Sequence, residues 1–126
     1  NATVETQYLN HTAPTIGYRI VSQGATVVYA ADHEPFSPSR GSLLHPGDAR
    51  HVEFLSGADV VVHDAQYTDD EYPGKIGWGH STVSYATDVA AEAGVRHLVF
   101  PMVGQTVAES MERMERFWDR YGRLAE

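Results

Sequence analysis

Four residues of this chain combine proton-transfer or metal-binding chemistry with a place at the edge of regular structure: His11, Asp32, Asp64 and His80. An imidazole within reach of a carboxylate makes either a general acid–base pair or two ligands for a divalent cation. Asp32 directly follows the β-branched run of residues 26–31, so it lies at the mouth of a strand. Asp64 ends a second apolar run, Asp59-Val60-Val61-Val62-His63-Asp64, which reads as a buried strand delivering His63 and Asp64 to its C-terminal edge. His80 stands just before Ser81-Thr82, a helix start, where bound anions are favoured. Oriented by Asp64, His80 would serve as a general acid or stabilise a phosphate oxygen. Each residue also has a plain structural reading. His11 can be a turn residue, Asp32 a strand cap, Asp64 a solvated strand end and His80 a helix flank.

The elements that must position these residues follow from pattern. Residues 4–9 alternate weakly and read as a strand. Residues 16–21 and 26–31 form a hairpin around Ser22-Gln23-Gly24, with His11 and Asp32 at its open end. Residues 33–42, with Pro35, Pro38, Gly41 and several serines, read as a long irregular loop, either a binding loop or a surface excursion. A short helix is expected over 51–55, ending at Ser56-Gly57. A second runs from an N-cap at Ser81 or Thr82 to a stop at Gly94. Residues 97–100 read as a strand, and residues 108–121 as an amphipathic helix whose apolar stripe is core. His33, His45, His51 and His97 show no organisation and read as loop or surface residues. The order is a β-rich first part followed by alternating helix and strand, which predicts an α/β layered fold with a mixed sheet and flanking helices, in one domain over residues 1–126.

Composition narrows the function. The chain has 126 residues, a net charge of -8 and nine Lys and Arg against 17 Asp and Glu. Stable binding of long nucleic acid is not expected, because such binding rests on clustered basic side chains. A small anionic substrate held through a metal remains compatible. Cysteine is absent, which removes disulfides and thiolate ligands and fits a reducing cytoplasm. No apolar run is long enough to span a bilayer, so no membrane partner is expected.

The motifs together resemble a known family. Asn10-His11, Gly17-Tyr18-Arg19-Ile20, Val28-Tyr29-Ala30-Ala31-Asp32, Ala58-Asp59-Val60-Val61-Val62-His63-Asp64-Ala65, Gly79-His80-Ser81-Thr82 and Gly94-Val95-Arg96-His97-Leu98-Val99-Phe100 look like the C-terminal half of a metallo-β-lactamase-fold hydrolase. The nearest subgroup is the ribonuclease Z and phosphodiesterase-like branch. The resemblance implies half of an αββα sandwich and a dinuclear metal site, usually zinc, alternatively manganese or iron. It implies that His11 binds one metal and Asp32 bridges two, while Asp64 orients a catalytic His80. The family's first metal cluster, His-x-His-x-Asp-His, occurs nowhere in this chain, and Met102 stands about where its last metal histidine is expected. Thioether is a poor ligand for such an ion.

Two functions follow as expectations. One is a metal-dependent hydrolase of a small phosphodiester, incomplete and inactive in this chain alone. The other is a metal-free scaffold or oligomerisation module of the same fold. Half a sandwich leaves an apolar sheet face uncovered, so a homo-oligomer, or pairing with the missing N-terminal half, is expected to cover it.

Overall fold

β1 (Ala2–Leu9), β2 (Thr15–Ser22) and β3 (Ala25–Ala30) form an antiparallel meander, as their alternating apolar residues require. In the computed structural model, which describes residues 1–38 and 43–101, Ser22 pairs with Ala25 across a two-residue turn. Gln23 and Gly24 both take positive φ, 52° and 80°. That is the turn whose twist matches the flanking strands.

β4 (Val60–His63) and β5 (His97–Val99) continue the sheet in parallel, in the order β1-β2-β3-β4-β5. Parallel neighbours need crossovers, and two helices lie in them. α1 (Pro46–Leu55) precedes β4 and α2 (Val83–Glu92) precedes β5. The sheet is mixed and layered with helices, as expected. α1 begins before the expected residues 51–55. Pro46 needs no N–H donor at the first turn, and His45 Nδ1 accepts the Gly47 N–H at 3.0 Å to cap it. α2 starts where its sequence says, with Thr82 Oγ1 accepting the Tyr85 N–H at 3.0 Å. It stops before Gly94, whose φ of 66° suits glycine.

Both helices pack on one face of the sheet. Leu9, Val28, Ala30 and Val61 from the strands meet Phe54, Leu55, Tyr85 and Val89 from the helices. Pairing places Tyr8, Ile16, Tyr18, Ile20, Val27 and Tyr29 together on the other face, where they are 39% to 75% exposed. No described residue covers that face.

Two expectations are corrected here. His33 and His51 are fully buried, His33 in the irregular segment after β3 and His51 in α1, so neither is a surface residue, and His33 to Pro35 sink into the interior rather than making a surface excursion. The cause is local. Asp32 adopts φ 63°, a left-handed conformation that Asp tolerates, and this redirects the chain at the end of β3. Asp32 stays exposed while His33 drops between sheet and helices. His45 and His97 are exposed, as expected. Met102 and the helix expected over 108–121 lie outside the described residues.

Candidate active site

The loops after β1, β3 and β4 and the turn before α2 meet at one edge of the sheet, and they bring the four expected residues together. His80 Nδ1 lies 2.5 Å from Asp64 Oδ2 and 3.6 Å from Asp32 Oδ1. The His11 and His80 rings face each other edge-on, with centroids 5.2 Å apart. His11 Nδ1 lies 2.8 Å from the Gly79 carbonyl, which can only accept. Nδ1 therefore carries the proton, and Nε2 keeps its lone pair for the site. Asn10 ties the two outer loops together, since its side chain donates to the Glu34 and Pro35 carbonyls at 3.0 and 3.3 Å.

The two carboxylates differ in setting. Asp32 is half exposed, whereas Asp64 is buried. Burial pushes the Asp64 carboxyl above its ordinary range, and the hydrogen bond and charge of His80 pull it back. Asp64 Oδ1 is buried and takes no hydrogen bond of ordinary geometry from any described residue. One ligand atom from each of Asp32, Asp64 and His80 lies within 4.8 Å of the others. Two carboxylates and an imidazole suit zinc or manganese, and a cation would satisfy the bare Asp64 oxygen.

Glu34 was not singled out in the sequence. It is 7% exposed, and its Oε1 accepts the Gly77 N–H at 2.6 Å and the Tyr72 hydroxyl at 3.0 Å. Its Oε2 accepts the Gly79 N–H at 2.8 Å. One carboxylate thus fastens the loop that carries His80. Gly79 is needed there, since its φ is 89° and a Cβ would collide with the His11 ring. The available signal was weak: an acid two residues past Asp32, and two glycines flanking one residue just before His80.

His63 does not join Asp64 at the site, because successive residues of a strand face opposite ways. Its Nδ1 donates to the Asp64 carbonyl at 2.7 Å, and its Nε2 lies 2.8 Å from His51 Nε2. His51 stacks on His33 at 3.7 Å between centroids. His33 Nδ1 accepts the Asn10 N–H, so its Nε2–H faces the Tyr85 hydroxyl at 3.2 Å. Tyr85 in turn donates to Asp48 at 2.7 Å. Burial lowers all three imidazoles, His63 to about 4, so the cluster is neutral. The helical spacing of Asp48, His51 and Leu55, at i, i+3 and i+7, was a signal that His51 faces inward.

Comparison with known proteins gives one family and several relatives. The family described as Beta-lactamase superfamily domain matches residues 2–101. Ribonuclease Z of Lactococcus lactis subsp. lactis (strain IL1403) is 30% identical over 153 residues, covering 85% of this chain and 50% of that protein. The short form of human tRNase Z superposes with a TM-score of 0.60 at 23% identity, over 77% of this chain and 34% of that one. The metallo-beta-lactamase fold protein YhfI from Bacillus subtilis superposes with a TM-score of 0.64 at 20% identity, over 89% and 41%. This chain therefore spans half or less of the length of each of these proteins.

Proposed function

The chain belongs to the beta-lactamase superfamily, and from that premise we propose that it supplies part of the site of a metal-dependent phosphodiester hydrolase. The observation that carries this reading is the Asp64–His80 pair at 2.5 Å with Asp32 at 3.6 Å from the same imidazole. Similarity to ribonuclease Z supports a phosphodiester of nucleic-acid type as substrate.

Each residue has a stated task. Asp64 accepts the Nδ1 proton of His80 and so orients the ring, leaving Nε2 to give a proton to the leaving oxygen. Burial keeps Asp64 out of competition with water for that bond. Asp32 and His11 Nε2 are the groups that would hold zinc or manganese. A bound cation would polarise the phosphoryl oxygens and lower the pKa of a water molecule. His11 is held for this task by Gly79, and Gly79 is held by Glu34.

The test is zinc and manganese uptake by the purified chain, measured by titration calorimetry and elemental analysis, together with hydrolysis of bis-p-nitrophenyl phosphate. We expect uptake that Asp32→Asn removes and, where a second copy or another chain supplies the rest of the site, hydrolysis that His80→Ala removes. No uptake above the Asp32→Asn background would sink the metal reading. Uptake without hydrolysis even in a paired assembly would favour the second reading, a binding or oligomerisation module. The face carrying Tyr8, Tyr18 and Tyr29, which no described residue covers, favours that module specifically. Sedimentation at micromolar concentration separates the cases, since pairing with another copy gives a dimer.

A further inference from the structure

We infer that Trp78, backed by Lys75, is a recognition platform for a nucleobase next to the phosphate at His80, an inference that rests on the phosphodiester reading of this site. Trp78 is 57% exposed although it sits only two residues before His80. Two residues span no more than about 7 Å at Cα, the reach of a single nucleotide.

The loop around it is fastened at both flanks. Gly77 and Gly79 donate their N–H groups to the two carboxylate oxygens of Glu34, at 2.6 and 2.8 Å. Both glycines have positive φ, 86° and 89°, which turns the backbone inward on either side and leaves the intervening indole outward. Trp78 N–H itself donates to the Lys75 carbonyl at 3.1 Å. The Lys75 ammonium lies 3.9 Å from the centre of the indole ring. It occupies one face and leaves the other for a flat partner. A large aromatic ring held outward by a buried carboxylate does little for the core, whereas base stacking on such a ring is the general means of gripping an unpaired nucleotide. The adjoining ammonium supplies the positive charge that a phosphate needs. With a net charge of -8 the chain does not favour a long polyanion, so a short unit of base plus phosphate is the ligand that fits.

The two sources of that chemistry are a free dinucleotide and an unpaired stretch of a longer strand. Both are tested in the full chain carrying Trp118→Phe, which leaves Trp78 as the reporting indole. The probes are uridylyl-(3′,5′)-uridine, decauridylate and, as a base-free control, ribose 5-phosphate. We expect saturable quenching by the dinucleotide and none by ribose 5-phosphate. By calorimetry in the parent chain, Trp78→Ala should weaken dinucleotide binding about tenfold or more, while Trp78→Phe keeps most of it. Lys75→Met should weaken it less and flatten its salt dependence. Tighter binding of decauridylate with a steep salt dependence would assign the platform to a strand, and equal binding to the dinucleotide unit. Absence of quenching, equal quenching by ribose 5-phosphate, or unchanged binding in Trp78→Ala overturns the platform. If zinc uptake and hydrolysis fail while quenching persists, the hydrolase reading falls and the platform stands.

Discussion

Two histidine groups lie back to back at the end of the β3–β4 strand pair, and their contrast shows how one residue type is put to opposite uses. In the outer group, His11 and His80 are half-buried beside Asp32 and Asp64, with carboxylates to hold a proton or a cation. In the inner group, His33, His51 and His63 are fully buried: His51 bonds His63, His63 bonds backbone, and His33 stacks on His51 and bonds Tyr85 and backbone. The groups interleave in sequence, since Asp32 precedes His33 and Asp64 follows His63. Solvent access and a carboxylate partner give the outer imidazoles chemistry. Burial without a carboxylate at the ring leaves His51 and His63 as shaped polar packing.

The sharpest way to break this contrast is His80→Ala. In the completed site, loss of a positioned general acid should lower phosphodiester hydrolysis by about 10²–10⁴-fold. The thermal midpoint should move by no more than a few degrees, because the ring is partly exposed. A large loss of stability in that variant would mean the outer group is packing as well.

Acid should act on the inner group first. The His63 imidazole titrates near 6.5 in the unfolded chain but at about 4 when folded. Between those values the unfolded state binds more protons, so stability rises with pH and is lost as pH falls from 6.5 toward 4. His33 and His51 are lowered as well and work in the same direction. His63 alone contributes on the order of 3 kcal/mol across that window. Asp64, whose carboxyl is raised, has the opposite sign and favours the fold at low pH. Urea unfolding measured from pH 7 to pH 4 should show a falling midpoint, and a flat profile would contradict the neutral inner cluster.

His51→Ala should remove about 2–3 kcal/mol of unfolding free energy, since it leaves a cavity and strands His63 Nε2 without its donor. Zinc uptake by the folded fraction should be unchanged in the same variant. Coupled loss of both would join the two groups into one unit.

The smallest expected effect sharpens the link between them. Glu34→Gln keeps the shape of the side chain but replaces one acceptor oxygen with a donor facing an N–H group. It should cost about 1 kcal/mol of stability. Because Glu34 holds Gly79, and Gly79 holds His11, zinc affinity should fall more than stability does, as titration calorimetry beside urea unfolding would show.

Much of this was written in local sequence. The hairpin at Gln23-Gly24, the start of α2 at Thr82 and the apolar β4 run are set by turn chemistry, capping and β-branched residues, which act over a few neighbours. The four outer residues were legible because each sits where a regular element begins or ends. What local pattern could not say is which way the adjacent side chains turn. That depends on the left-handed backbone at Asp32, which sends His33 inward, and on which sheet face α1 and α2 cover, which buries His63 against His51. Glu34 was invisible for the same reason: its partners Tyr72, Gly77 and Gly79 are about 40 residues away in sequence. The sequence by itself determined the elements and the candidates, because those depend on neighbours along the chain. Only the tertiary structure decided which histidines meet a carboxylate and water and which are sealed away, because burial is a property of how distant segments pack.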